Sequence, residues 1–366
     1  MRIDVRHASP RLVLALLVLL TGCSSERAKN NAVPEQPEGG SDSASFDAAF
    51  VDASDATVDA QTDAQESGVS DGGASDGSVA AANCKNDSPT IPPEFADHSK
   101  QTFCDHFDTF DIQDAKHAPD GTWATTFHWG SPDPSQAEDG DRVLFQNPED
   151  EWYVSEFYSP AGVAPVNPFK IVDDMGRRVL RIRAEPAPPA MLPHMQGRNY
   201  TSGMISTHAS FSHRYGFGVI RCRLPGPVGQ ERGAWPSAWW LRPNGDWPPE
   251  FDLLDNALGA KAWVTAAPAD VDIQYDTLGD NGNPGVDFSA GYHEFGFGWT
   301  ATEISWWLDG KKIRSAPTPA TYHSPMFFLF TFAIGASGAW DGNAEVKPST
   351  KFPLDAHIDA VWIYEK

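Results

Sequence analysis

Trp247-Pro-Pro-Glu-Phe-Asp-Leu-Leu-Asp255 places three carboxylates, Glu250, Asp252 and Asp255, in an aromatic-rich stretch shortly after the turn Gly233-Ala-Trp-Pro236. Like charges this close resist ionising together. Such a cluster holds a metal, does acid–base chemistry or sits on a solvated turn. Read as a strand, the stretch alternates faces. Glu250 and Asp252 then share one face, and strict alternation turns Asp255 away. A β-bulge after Asp252 adds one residue and returns Asp255 to the front. The expectation is a bulged strand whose three acids line one side of a groove. Two carboxylates about 5–5.5 Å apart are what retaining glycoside cleavage uses, one as nucleophile and one as acid.

The surrounding chain also reads as strand. Met204–His208, Tyr215–Leu224, Ala262–Ala266, His293–Trp299, Ile304–Leu308, Met326–Ala333 and His357–Tyr364 are short and strand-like. Asp309-Gly310, between Trp306-Trp307-Leu308 and Lys311-Lys312-Ile313, predicts a tight hairpin. No long segment has a 3.6-residue period. Many short strands broken by Pro and Gly turns predict an all-β sandwich or jelly roll. A large curved sheet of that kind has a concave face, where aromatic side chains make a groove for an extended ligand.

All 13 Trp lie beyond residue 120. Trp235 and Trp239 are four apart and share a strand face, while Trp240 points the other way. Trp247 precedes Glu250, and Trp340 sits in the loop-like Gly335-Ala-Ser-Gly-Ala-Trp-Asp341. Flat Trp faces suit sugar rings. Trp235, Trp239, Trp247 and Trp340, with His208 at a strand end, are the candidate substrate-binding residues. Trp306 and Trp307 flank the hairpin and read as structural. Gly121–Asn199 reads as a loop-rich insertion, with Pro186–Pro193 a turn or polyproline stretch, shaping one end of the groove.

The N-terminus reads as an export signal. Arg2, Arg6 and Arg11 accompany a Leu12–Leu20 apolar run too short to span a bilayer stably. Leu20-Thr21-Gly22-Cys23 resembles a bacterial lipobox. That resemblance implies a signal peptide over 1–22, acylation of Cys23, and, with Ser24 next, a place in the cell envelope at the outer membrane or cell surface. Residues 23–83 are rich in Ala, Asp and Ser. They have too little apolar surface to offset the entropy cost of ordering and read as a disordered, lipid-anchored tether. Residues 84–366 form one domain's worth of chain.

The chain carries −23. Three Arg against Asp4 before the lipobox cysteine, and twelve acids against Arg27 and Lys29 in the tether, leave −15 on the domain. That opposes nucleic acid and anionic membrane surfaces, so membrane contact is expected through the lipid anchor only, and a neutral partner is favoured. With Cys23 assigned to lipid, a Cys84–Cys104 disulfide would pin the domain's start. Cys222 shares a strand face with Ile220 and Leu224 and reads as a buried free thiol. No spacing suits a transition metal, no Ser-His-Asp order is present, and no phosphate loop occurs.

In order along the chain, several segments resemble glycoside hydrolase family 16, the concanavalin A-like β-jelly-roll endo-glycanases. Phe103-Cys-Asp-His-Phe107 is similar to the opening strand. Thr201–Thr207 with Tyr215–Pro225 resembles "SGxI…YGxxExRxKLP", Gly233–Leu241 resembles "GxWPAxWLL", and Trp247–Asp255 resembles "WPxEIDxxE". Tyr292–Trp299 and Ile304–Gly310 resemble "FHTYxxxW…ItWYvDG", and Pro325–Leu329 and Phe352–Tyr364 resemble the closing strands. The resemblance implies Glu250 as nucleophile, Asp252 as its assisting carboxylate and Asp255 at the acid/base position.

Two positions depart from the pattern. Asp255 stands where the family has Glu, and Val219 stands where many members have Glu. Asp is one methylene shorter, so its carboxyl falls about 1–1.5 Å short, and misplacement of about 1 Å can cost ~10²-fold in rate. Three readings stay open. One is an endo-acting retaining hydrolase or transglycosylase of a neutral polysaccharide such as a β-1,3 or mixed-linkage β-glucan. Another is a weakly catalytic or non-catalytic cell-surface glycan-binding lipoprotein, and the third is a structural envelope protein. The expected partner is the polysaccharide, bound by a monomer without cofactor. A structural calcium at Asp105 and Asp359, near the two ends of the domain, is the one ion the resemblance suggests.

Overall fold

A computed structural model describes residues 87–127, 142–144, 147–227, 229–243, 249–258, 261–267, 273–276, 286–339 and 345–366. Its strands begin with β1 (Lys100–Asp105), β2 (Ile112–Gln113), β3 (Trp123–Ala124), β4 (Glu151–Tyr153), β5 (Phe169–Asp174) and β6 (Arg177–Pro186). They continue with β7 (Tyr200–Ser202), β8 (Met204–Ser206), β9 (Gly216–Arg223), β10 (Ala234–Leu241), β11 (Glu250–Leu258) and β12 (Lys261–Ala267). The last are β13 (Ile273–Asp276), β14 (His293–Trp299), β15 (Glu303–Leu308), β16 (Lys311–Pro317), β17 (Phe327–Ile334) and β18 (Leu354–Glu365).

Two sheets stack as a jelly-roll sandwich. The ten-stranded sheet runs β16-β15-β14-β9-β18-β6-β7-β4, with β1 also on β18 and β5 on β6. The eight-stranded sheet runs β13-β12-β11-β10-β17-β8-β3-β2. Alternation decides what each sheet buries. Ile220 and Cys222 of β9, Trp240 of β10, Phe251 of β11 and Phe328, Phe330 and Phe332 of β17 meet in one core. The Trp240 and Phe328 rings lie 4.9 Å apart, and those of Phe251 and Phe297 lie 4.3 Å apart. Each such fully buried side chain contributes roughly 1.5–3 kcal/mol. Cys222 is a buried free thiol there, and burial pushes its pKa up. Trp306 belongs to the same core and Trp307 to a second cluster on the outer face, so both are structural.

The Asp309-Gly310 hairpin forms as expected. Asp309 has φ 48° and Gly310 φ 75°, the positive values a two-residue primed turn needs. Met175 (φ 49°) and Gly176 (φ 78°) join β5 to β6 in the same way. That second hairpin corrects the reading of Gly121–Asn199 as loop-rich. Val179, Leu180, Ile182 and Ala184 are buried while Arg181 and Arg183 are half-buried, so β6 is a regular amphipathic strand paired along both edges. The stretch after Pro186 does carry a short 3-10 turn, Leu192–His194.

The proposed calcium ligands do not fit an ion. Asp359 faces Arg177 at 2.9 Å and Arg221 at 3.0 Å. Asp105 accepts from Trp123 Nε1 and the Phe107 amide, both at 2.7 Å. Asp105 shares the core-facing side of β1 with Phe103, whereas Asp359 meets an Arg221 guanidinium that lies over Trp362 on the outer face. The two carboxylates therefore sit on opposite sides of the sheet. Cys104 is disulfide-bonded. Cys84, Cys23 and the signal and tether segments lie outside the described residues.

Candidate active site

The bulge in β11 is present. Against β10, Asp252 pairs with Trp239 and Leu254 with Ala238, so Leu253 is the extra residue. Against β12 the register also shifts between Asp252 and Asp255. Leu253 and Leu254 are both buried in the core, which is what two adjacent apolar residues demand and what a regular strand cannot supply. The result is that Glu250, Asp252 and Asp255 line one cleft. All three are buried.

The opposite side holds the strand in place. Tyr322 Oη donates to the Glu250 carbonyl at 2.7 Å. Trp306 reaches across from the other sheet and donates Nε1–H to the Asp252 carbonyl at 3.0 Å. These bonds satisfy backbone acceptors that burial would otherwise penalise. They also fix which residues of β11 face the cleft.

Strand β10 supplies the next row. Trp235, Ser237 and Trp239 alternate onto the cleft face, with Thr331 and Ala333 of β17 beside them. Trp235 Nε1 donates to Asp255 Oδ1 at 2.8 Å, and Ser237 Oγ donates to the same oxygen at 3.0 Å. Trp239 Nε1 donates to Thr331 Oγ1 at 3.2 Å, and its ring packs with Phe127 and Tyr153. Both Trp line the cleft, as expected, but their polar edges serve the protein itself.

Trp247 and Trp340 lie outside the described residues. His208 is not among the residues lining the cleft. It follows β8, three strands from β11 in the sheet order, a displacement of roughly 14 Å at ~4.8 Å per strand. Its ring packs on Phe327 at 5.9 Å, and burial lowers its pKa.

One part of the site was not foreseen. The segment 147–153 covers one wall, and Asn147, Glu149, Glu151 and Tyr153 fall on one side of it by alternation. Glu149 lines the cleft and accepts from Asn147 Nδ2 at 3.0 Å. Glu151 is fully buried behind it and accepts from the Ile334 amide at 2.6 Å. Burial raises the pKa of both, and the Glu149 charge raises Glu151 further. Two buried carboxyls this close keep one proton between them. Tyr153 beside them is likewise pushed up by burial and by both acids. The alternation in Asn147-Pro-Glu-Asp-Glu-Trp-Tyr153 was the available signal.

Comparison with known proteins matches this arrangement to one family. The profile described as "Glycosyl hydrolases family 16" matches residues 177–359, half of the chain. Endo-1,3-1,4-beta-glycanase ExsH of Rhizobium meliloti (strain 1021) is 34% identical over 265 residues, covering 72% of this chain and 52% of that protein. Endo-1,3-1,4-beta-glycanase EglC of the same organism is 34% identical over 267 residues, with the same coverage. The chain thus spans about half the length of the curated relatives it matches. Among solved structures, the catalytic domain of an endo-1,3-beta-glucanase (laminarinase) from Thermotoga petrophila RKU-1 superposes with TM-score 0.52 at 23% identity, covering 73% of this chain and 98% of that one. The endo-beta-1,3-glucanase from Pyrococcus furiosus gives TM-score 0.52 at 20% identity, covering 72% and 93%; these two matches speak for the fold. Profile, relatives and fold agree with the bulged carboxylate strand, and the chain belongs to glycosyl hydrolase family 16.

Proposed function

We propose that the protein is an endo-acting retaining glycoside hydrolase of a neutral β-1,3 or mixed-linkage β-glucan. The observation that carries this reading is the β11 bulge, which lines Glu250, Asp252 and Asp255 along one Trp-walled cleft. Family membership and the names of the two 34%-identical relatives point to the same chemistry. In this reading Glu250 attacks the anomeric carbon as Asp255 protonates the departing glycosidic oxygen. Asp255 then takes a proton from water, which attacks the same carbon and releases Glu250. Asp252, between them, holds a proton near the nucleophile and keeps the outer pair's roles distinct. Trp235 and Trp239 present apolar ring surface beside the reacting sugar. The net charge of −15 beyond the tether favours an uncharged glucan over an anionic polysaccharide.

The same proposal places the domain in the cell envelope as a monomer, acylated at Cys23 and held off the membrane by residues 24–83. Loss of membrane fractionation in Cys23→Ala tests that part. Reducing-sugar release from laminarin and mixed-linkage glucan tests the activity. The wild type should release sugar and Glu250→Gln should not. Asp255, in place of the family's Glu, favours one second reading, a glycan-binding protein with little turnover. Binding to these glucans without release of reducing ends would support it instead.

A further inference from the structure

Asp255 is gripped through a single oxygen. Trp235 Nε1 at 2.8 Å and Ser237 Oγ at 3.0 Å both donate to Oδ1. The two donors stand two residues apart on β10, on one face, and both are buried. The bond to Asp255 is the one side-chain hydrogen bond Ser237 makes among the described residues. No described residue takes Asp255 Oδ2. Two donors of fixed direction on one oxygen stop rotation about Cβ–Cγ, so the other oxygen has one orientation.

Side-chain length explains why a hydroxyl belongs at this position. The Asp carboxyl stays one C–C bond, roughly 1.5 Å, nearer its own strand than a Glu carboxyl does. That keeps it beside β10, within reach of residue 237. A Glu at 255 would carry its carboxyl past this serine.

We infer that Ser237 is a positioning residue which, together with Trp235, ties Oδ1 of the short Asp255 side chain so that Oδ2 carries the transferred proton. This rests on the assignment of Asp255 as acid/base. The proton passes from Oδ2 to the glycosidic oxygen, which receives the electron pair of the breaking C1–O bond while a Glu250 oxygen bonds to C1. Ser237 touches neither sugar nor proton in this step. It acts by holding the donor where that oxygen arrives, and misplacement of about 1 Å is worth ~10²-fold.

The test compares two substrates in the full-length protein. Mixed-linkage glucan has a leaving group that needs protonation, and a dinitrophenyl β-glycoside has one that does not. Ser237→Ala should lower kcat on the glucan about tenfold or more, leave KM nearly unchanged, and spare the first, bond-breaking step on the aryl glycoside. Ser237→Thr, which keeps the hydroxyl, should restore the glucan rate. Equal losses on both substrates, or no loss on the glucan, would overturn the inference. If the wild type cleaves neither substrate, the hydrolase reading fails on its own. Unfolding midpoints of Ser237→Ala, Asp255→Ala and the double variant then decide whether the pair is coupled. Non-additive shifts support the positioning contact, and additive shifts overturn it.

Discussion

The two faces of this sandwich that point away from the core treat carboxylates in opposite ways. On the outer face of the ten-stranded sheet, acids are met by guanidinium groups. Arg221 bonds Asp87, Glu294 and Asp359, Arg223 bonds Asp174 through two nitrogens, and Arg183 bonds Asp355 the same way. On the cleft face of the eight-stranded sheet, Glu149, Glu250, Asp252 and Asp255 converge, and the described residues lining the cleft include no Arg, Lys or His. The side-chain hydrogen-bond donors to Asp255 and Glu149 are neutral: the Trp235 indole and the Ser237 hydroxyl for the first, the Asn147 amide for the second. A guanidinium pair fixes charge and geometry together and so serves the fold. Neutral donors orient a carboxylate and leave it able to exchange a proton, which suits chemistry.

The largest effects should separate the two faces. Glu250→Gln should lower kcat on β-glucan by at least ~10³-fold while the melting temperature stays nearly constant. Arg221→Ala should do the reverse, because it takes the guanidinium from Glu294, leaves Asp359 with Arg177 alone and removes the contact over Trp362. Breaking a buried pair costs about 3 kcal/mol or more, or roughly 6–12 °C for a domain of this size. Calorimetry and kinetics on the same two variants check both arms. A large activity loss in Arg221→Ala at a temperature where it stays folded would break the division between the faces.

A middle-sized effect concerns the short acid. Asp255→Glu should lower the glucan rate by about tenfold, because the longer side chain overshoots Ser237 and Trp235. The double change Asp255→Glu with Ser237→Ala should recover part of that loss. A rate above wild type in Asp255→Glu alone would mean that Asp255 is merely a weakened acid.

The buried pair behind the cleft wall gives a pH signature. Glu149 and Glu151 have raised folded-state pKa values. Their contribution is fully present below the unfolded carboxylate value and is lost as pH rises through the folded one. Stability should therefore fall from about pH 4.5 upward, by at most ~1.4 kcal/mol per pH unit for each retained proton. Glu151→Gln keeps an acceptor for the Ile334 amide and has nothing to ionise. Its melting temperature should decline less with pH than that of the wild type, and parallel curves would contradict the shared proton. The smallest effect is expected from His208→Ala. Its ring packs on Phe327 outside the cleft lining, so glucan KM should change by less than about threefold.

What could be read from the chain follows the same physical lines. The β11 bulge was legible because only an extra residue after Asp252 returns Asp255 to the face of Glu250, and the adjacent buried Leu253 and Leu254 are its counterpart in the core. His293–Trp299 was legible to the residue because polar turns bound it. The β5–β6 hairpin was not, although Leu180 to Ala184 alternates cleanly, because Pro-rich flanks made the region read as loop. The alternation over 147–153 puts Glu149 and Glu151 on one side, but that this side is buried against Ile334, 183 residues beyond Glu151, is a long-range fact no local pattern announces. Asp105 and Asp359 are close to the chain ends of the domain, but which face each occupies depends on strand pairing and on the bulge between Ile358 and Ala360.

The most direct test of the central claim is the anomeric configuration of the first product, followed by proton NMR during hydrolysis of a β-glucan oligosaccharide. A covalent Glu250 intermediate with Asp255 as acid and then base predicts that the β-anomer forms first and mutarotates later. Initial release of the α-anomer would mean direct attack by water and would contradict the assignment of Glu250 as nucleophile.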